Sequence, residues 1–553
     1  MYLLDNPVLQ RELVVNLRTS RSFVLMLLYQ ALLAAVVLFA WPQETRLQAN
    51  AEAARRLVDL FFLGQYVLAS LMAPSFAAAA LTGEKECKTY EMLLATPLRP
   101  PAIVLGKLIA SLAHLAILIV SSLPIVMLCL PLGGVSFYEV LAAYLGLMVS
   151  VVTFGMISVA CSSYFQRTAA SLVASYLLIL PLAMLAILLW QSLAGSGEFR
   201  LVVTGVFAPI CAVTLIGMLF VSTNRRLLYP PDVGSEGKDV VDLDQEAEEV
   251  VGLVIQRDQF PDSLFAPPKR TELLDDGANP VYDKEIHSEI FSQGTLMLRL
   301  VIQISMTLAI PIMAFTLFIY PGYCAWFVIY VLTFNVLVGP VFSAGAITGE
   351  RERQTLDLLL TTTITPWQIL WGKLVAGLRI STVLTLFLVW PMCLACLLVD
   401  YYWGNLLPAL AFLSTILLTC GTTAILALFC SVLFRKTSTS LMTTYAVIIS
   451  LFFTPLAVNF FAETFFVDAP VTPWTRAMGA ISPFSAALSI PMVDSDFFGD
   501  GVSEVEEGPQ WFGFGRSGTW RIFAAYVSVT VLLNGAIMTA MILLFRSRWL
   551  VSQ

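Results

Sequence analysis

The sequence predicts an all-α polytopic membrane protein of about 12 transmembrane helices, arranged as two parallel-oriented six-helix repeats. Three observations predict it. Of 553 residues, 58% are hydrophobic and only 12% charged, and the mean hydropathy is +0.82. Soluble domains run nearer half apolar and a quarter charged. Apolar runs of roughly 20 residues recur along the chain, each long enough to cross about 30 Å of hydrocarbon as a helix. Residues 81–112 also align with residues 347–378 without a gap, and 15 of the 32 positions are identical. Such an internal repeat signals a duplicated unit.

Spans are expected near 22–41, 57–81, 102–131, 138–164, 169–193 and 201–222, then near 296–319, 324–347, 374–398, 406–433, 440–462 and 522–545. An even count of six returns each half to its starting side, so tandem fusion leaves both halves in one orientation. The expected domains are therefore 1–226, a first six-span unit; 227–278, a linker; and 279–553, a second six-span unit with an outward-facing segment at 463–521. Pro74 and Pro340, and Phe76 and Phe342, fall in register between the halves. No cleavable signal is expected ahead of the first span.

Charge adds orientation. The net charge is −7, but the linker alone holds 13 acidic residues against 4 basic ones, so the remainder is about +2. With both termini cytoplasmic, most Lys and Arg fall inside or at inner helix ends, including Arg11, Arg18, Lys107, Arg167, Arg225, Lys373, Arg435 and Arg548. Arg46, Arg55 and Arg56 are exceptions, partly offset by Glu44 and Glu52. Trp474, Trp511 and Trp520 suit the headgroup layer on the outward side. Cys393 and Cys396 form a C-x-x-C inside an apolar run, where they read as small packing residues.

Ahead of each first span lies a short amphipathic helix. "NPVLQRELVVNL" from Asn6 places Leu9, Leu13 and Leu17 on one face; "NPVYDKEIHSEI" from Asn279 repeats the stripe with Tyr282, Ile286 and Ile290. Between the second and third spans of each half comes the aligned segment: "LTGEKECKTYEMLLATPLRPPAIVLGKL" and "ITGERERQTLDLLLTTTITPWQILWGKL". Gly83 and Gly349 are expected to break the incoming span. Glu84 and Glu86, or Glu350 and Glu352, would then open a new helix, where carboxylates suit the positive dipole end. Leu93 and Leu94, or Leu359 and Leu360, give that helix an apolar flank. Pro-containing turns stop it, and Gly106–Lys107 or Gly372–Lys373 lead back into the membrane.

This pattern, G-E-[RK]-E-x-x-T-x-[DE]-x-L-L, a Pro-containing turn, then G-K-L, resembles the coupling-helix region of ABC transporter type-2 permeases. The N-P-V-x-x-[KR]-E helix, the six-span unit and the elaborated segment before the last span are similar too, so the resemblance covers nearly the whole chain, twice. It implies a permease, with export favoured, in the plasma (inner) membrane of a bacterium. It also implies that each coupling helix docks on a separate ATP-binding subunit, two copies in all, which carries the ATP and Mg. Position by position, the implied docking residues are Glu84, Lys85, Glu86, Thr89, Leu93 and Leu94, and Glu350, Arg351, Glu352, Thr355, Leu359 and Leu360. Cys87 against Arg353, Lys88 against Gln354 and Pro97 against Thr363 distinguish the two copies.

The chain has no G-x-x-x-x-G-K-[ST] phosphate loop, so it is not expected to be the ATPase, and neither a metal nor a nucleic-acid partner is expected. A secondary transporter would need a charged midplane site, which the apolar spans do not offer. His114 and His287 are too far apart in sequence to suggest a membrane enzyme, and His114 reads as a helix-contact residue. The alternatives kept beside the permease reading are a non-transporting membrane partner of an ATPase, driving an envelope machine, and a secondary transporter.

Overall fold

A computed structural model describes residues 6–17, 27, 29–31, 33–34, 51–127, 136–192, 199, 202–228, 279–287, 295–352, 354–465, 478–492 and 520–551. Among these there is no β-strand, and 11 helices are long and apolar enough to cross a bilayer. Of the span expected at 22–41 only a few helical residues are described, and Gln30 among them donates to Ser121 Oγ. The linker beyond residue 228 and most of 463–521 lie outside the described residues. The chain is an integral, multi-pass, all-α membrane protein. It divides into two compact units: Met1–Ile255 with Gly294–Leu308, and Gln256–Gln293 with Ala309–Gln553.

In the first unit a short helix, α1 (Pro7–Leu17), is followed by α2 (Ala51–Ala77), α3 (Ala79–Glu86), α4 (Tyr90–Leu94), α5 (Pro100–Ser121), α6 (Phe137–Tyr164), α7 (Thr168–Ser192) and α8 (Ala208–Leu228). Helix α6 is the hub: α2, α5, α7 and α8 all pack on it. Its start is set by a capping box, Ser136 with Glu139, which satisfies free amides at both positions. Two prolines open α5, where their missing N–H groups cost nothing. Polar side chains bridge spans as expected of helices packed in lipid: Gln65 Nε2 donates to Ser122 Oγ at 2.6 Å, and Tyr176 donates to the Leu71 carbonyl at 2.9 Å. His114 meets Phe76 edge to face, ring centroids 6.3 Å apart.

The second unit repeats this order with α9 (Pro280–His287), α10 (Thr295–Met313, whose first part groups with the first unit), α11 (Cys324–Ser343), α12 (Thr348–Glu352), α13 (Leu356–Leu360), α14 (Pro366–Leu398), α15 (Leu406–Leu433), α16 (Thr437–Ile448), α17 (Thr454–Phe465) and α18 (Trp520–Val551). Here α15 is the hub, contacting α11, α14, α16 and α18. Tyr445 donates to the Leu337 carbonyl, the counterpart of the Tyr176–Leu71 bond. A capping box of Thr365 and Gln368 starts α14. On α9 Val281 is buried and Tyr282 half-buried; of the rest of the expected stripe, the side chain of Ile286 and all of Ile290 lie outside the described residues.

The helix breaks differ from expectation. In the first unit the incoming helix is interrupted at Ala78, four residues after Pro74, and Gly83 lies inside α3. In the second unit the break falls at 344–347, likewise one turn past Pro340. A proline's missing amide and ring clash disturb the ladder around it, whereas glycine inside a helix merely weakens it. Glu84 and Glu86 consequently sit in the last turn of α3, at the negative end of that helix. Their neighbours have to supply the compensation.

Candidate functional site

Each unit builds the same small structure where its second and third spans meet. In the first, Lys85 Nζ donates to the carbonyls of Ser162 (3.1 Å), Ser163 (2.8 Å) and Phe165 (2.8 Å). These are the orphan carbonyls at the end of α6, where a cation also meets the negative dipole end. Arg226 Nε reaches Ser163 O at 3.2 Å as well, its guanidinium stacked over Tyr164. In the second unit Arg351 does the same work at the end of α15, donating to Phe434 O (2.6 Å) and Val432 O (2.9 Å).

The acidic residue one position on has the opposite task. Glu86 Oε1 accepts from the Thr168 amide at 2.7 Å, the first residue of α7. Glu352 accepts from the Thr437 amide at 2.8 Å and the Thr437 hydroxyl at 2.9 Å, at the start of α16. A carboxylate at the C-terminus of its own helix thus lies on the positive end of another, which offsets the unfavourable dipole.

Glu84 and Glu350 point towards buried lysines. Lys107 Nζ donates to Glu84 Oε1 at 2.9 Å and lies 3.6 Å from Glu12. Lys373 Nζ donates to Glu285 at 2.6 Å and to Glu350 at 3.2 Å, and Glu350 also takes Lys284 Nζ at 3.0 Å. Lys107 is 6% exposed and Lys373 3%. The second oxygen of each glutamate accepts from a threonine hydroxyl, Thr89 or Thr355.

Those threonines close the turn. Thr89 N donates to Glu84 O and Lys88 N to Lys85 O; Thr355 N donates to Glu350 O and Gln354 N to Arg351 O. Both are Schellman ends, and the residue at the left-handed position is Lys88 (φ 57°) or Gln354 (φ 58°) where glycine is usual. Beyond the turn, α4 and α13 lay their leucines inward: Leu359 and Leu360 pack on a core that includes Val281, Ile347 and Ile369, and Leu93 and Leu94 are half-buried. The apolar side chain left outside in each case is Met92, 72% exposed, or Leu358, 68% exposed.

Ten of the twelve residues expected at this site are thus at least half-buried within their own unit. Only Glu86 and Glu352 stand exposed, and each still caps a neighbouring helix. The sequence reading missed Met92 and Leu358, and it missed Ser162 and Ser431, whose hydroxyls each accept two amides: Leu81 and Thr82, or Ile347 and Thr348. A signal for the serines was present: C-S-x-x-F-x-[RK]-T occurs at Cys161–Thr168 and again at Cys430–Thr437. Among the described residues no group of metal-ligating side chains comes together.

Two compact units in one polytopic chain, each carrying the same braced segment between successive spans, define a duplicated membrane permease. A family model described as "ABC-2 family transporter protein" matches residues 7–199 and 209–542. The chain belongs to that family and is the membrane subunit of an ABC transporter; permeases of this kind work in general with a separate ATP-binding protein. No curated protein and no solved structure matches the chain.

Proposed function

We propose that this permease couples ATP hydrolysis on separate ATP-binding subunits to outward movement of an apolar or amphipathic cargo, through α4 and α13 as its two coupling helices. Both tips then face the cytoplasm of a bacterial cell, with both termini on the same side, and each receives one ATP-binding subunit carrying ATP and Mg. The chain itself hydrolyses nothing.

One observation carries the reading. The same brace is built twice, and in both it leaves the same apolar position bare on an otherwise satisfied structure. An exposed methionine or leucine at the apex of a rigid turn suits insertion into a partner's groove. Within the expected docking set, Glu84, Lys85, Glu86 and Thr89, with Glu350, Arg351, Glu352 and Thr355, hold the tip in shape, and Leu93, Leu94, Leu359 and Leu360 seat it. Contact with the partner falls to Met92 and Leu358.

The experiment is co-purification with the cognate ATP-binding subunit. The chain alone should show no ATPase activity, and Met92→Asp combined with Leu358→Asp should release the subunit while the permease still inserts and elutes as a single species. Stoichiometric retention of the partner by the double variant would overturn the docking assignment.

A further inference from the structure

Among the described residues the two most deeply buried ammonium groups are Lys107 and Lys373, and each bridges two elements; in the second half Lys284 of α9 reaches Glu350 directly as well, at 3.0 Å. Lys107 joins Glu84, at the root of the coupling turn, to Glu12 on α1; Lys373 joins Glu350 to Glu285 on α9. The helices are brought close enough for this by Asn6 and Asn279. Asn6 Nδ2 donates to Ala102 O (2.6 Å) while its Oδ1 accepts from Val8 N (3.1 Å); Asn279 donates to Gln368 O (2.8 Å) and accepts from Val281 N (3.0 Å). Gly106 and Gly372 make room: a Cβ on either would lie 3.0 or 3.1 Å from the asparagine amide.

We propose that Lys107 and Lys373 are positioning residues that pin the short leading helix of each half, α1 or α9, to its coupling segment, so that the two move as one body when a partner displaces the tip. The inference rests on the coupling reading above and adds a second moving part to it. The chemistry favours a pin over a passive filler. An ammonium in a nearly closed site needs its counter-charges, and without it the two facing carboxylates repel and drive the elements apart. Arginine can span both carboxylates with its forked donors; methionine fills the space without holding either.

The test uses the full complex with its ATP-binding subunit and spin labels at positions 14 and 87, both exposed, one on α1 and one at the coupling turn, in a chain otherwise free of cysteine. The native chain should give one narrow distance distribution that is the same without nucleotide and with ADP and vanadate. Lys107→Met should lose the narrow distribution, and Lys107→Arg should recover it, with the partner retained throughout because the lysine lies beneath the docking surface. Should Lys107→Met fail to fold, Glu12→Gln removes only the α1 end of the bridge and should broaden the distribution in the same way. An unchanged narrow distribution in Lys107→Met, or in Glu12→Gln, would overturn the pin. Failure of the coupling reading is read separately, as retention of the partner by the Met92→Asp and Leu358→Asp chain.

Discussion

The first and second halves share a skeleton and differ at its tip. The main bonds that shape the braced turn have counterparts: Lys85 and Arg351 cap the fourth span, Glu86 and Glu352 cap the fifth, Ser162 and Ser431 hold the incoming backbone, and Lys107 and Lys373 tie in α1 and α9. The outward side chains have diverged. Lys88 and Arg99 are exposed in the first half, whereas their counterparts Gln354 and Thr365 are exposed and uncharged in the second. The second tip also carries Trp367 and Trp371, stacked with centroids 5.5 Å apart and both nearly half exposed, where the first has Pro101 and Leu105. What is repeated is what a rigid lever needs; what has changed is what a partner or a headgroup layer would touch.

The largest effect should come from the pins, and it should be unequal. Breaking a buried charge bridge costs about 3–5 kcal/mol because the remaining charges are stranded. Lys373 is the more enclosed and its two carboxylates lie at 2.6 and 3.2 Å, against 2.9 and 3.6 Å for Lys107. Lys373→Met should therefore lower the thermal unfolding midpoint in detergent more than Lys107→Met; the reverse order would break the comparison. Next come the serines. Ser162→Ala or Ser431→Ala strands two buried amides and should cost about 1–3 kcal/mol in either half, read as the same shift in a chemical unfolding curve.

Smaller, and of opposite sign, is the relief of backbone strain. A non-glycine residue in the left-handed region costs about 1–2 kcal/mol, so Lys88→Gly and Gln354→Gly should each stabilise the protein by about 1 kcal/mol. Equal gains would confirm that the two turns are one design; a loss at Lys88 would mean that its side chain matters more than its backbone. The subtlest difference concerns salt. With Leu358→Asp in place, partner retention rests on the first tip, which exposes Lys88 and Arg99 where the second exposes Gln354 and Thr365, and it should weaken more as ionic strength rises than with Met92→Asp in place. Binding assays across a salt series would separate the two.

Much of this was legible before any coordinates. The apolar runs placed the described spans, and the aligned segment with its Asn-Pro helix and Gly-Lys pair marked both ends of the brace. The direction of the charges was not legible. A cluster such as Glu84, Lys85 and Glu86 reads alike whether it faces water or a lysine 23 residues further on. Only the fold brings Lys107 beneath Glu84, and the ends of α6 and α7 against Lys85 and Glu86. The apex was hidden for a related reason: in Met92–Leu94 and Leu358–Leu360 three apolar residues follow one another, and a helix of five residues has too little period to show which one is left outside.

The central claim is that two equivalent levers meet a motor confined to one compartment. The most direct measurement places a single cysteine at position 92 or 358 in a cysteine-free chain and labels sealed vesicles of known orientation with a membrane-impermeant maleimide. Both positions should react from the cytoplasmic side only, and both should be shielded when the ATP-binding subunit is bound. Labelling of the two positions from opposite sides, or equal labelling with and without the subunit, would contradict the account.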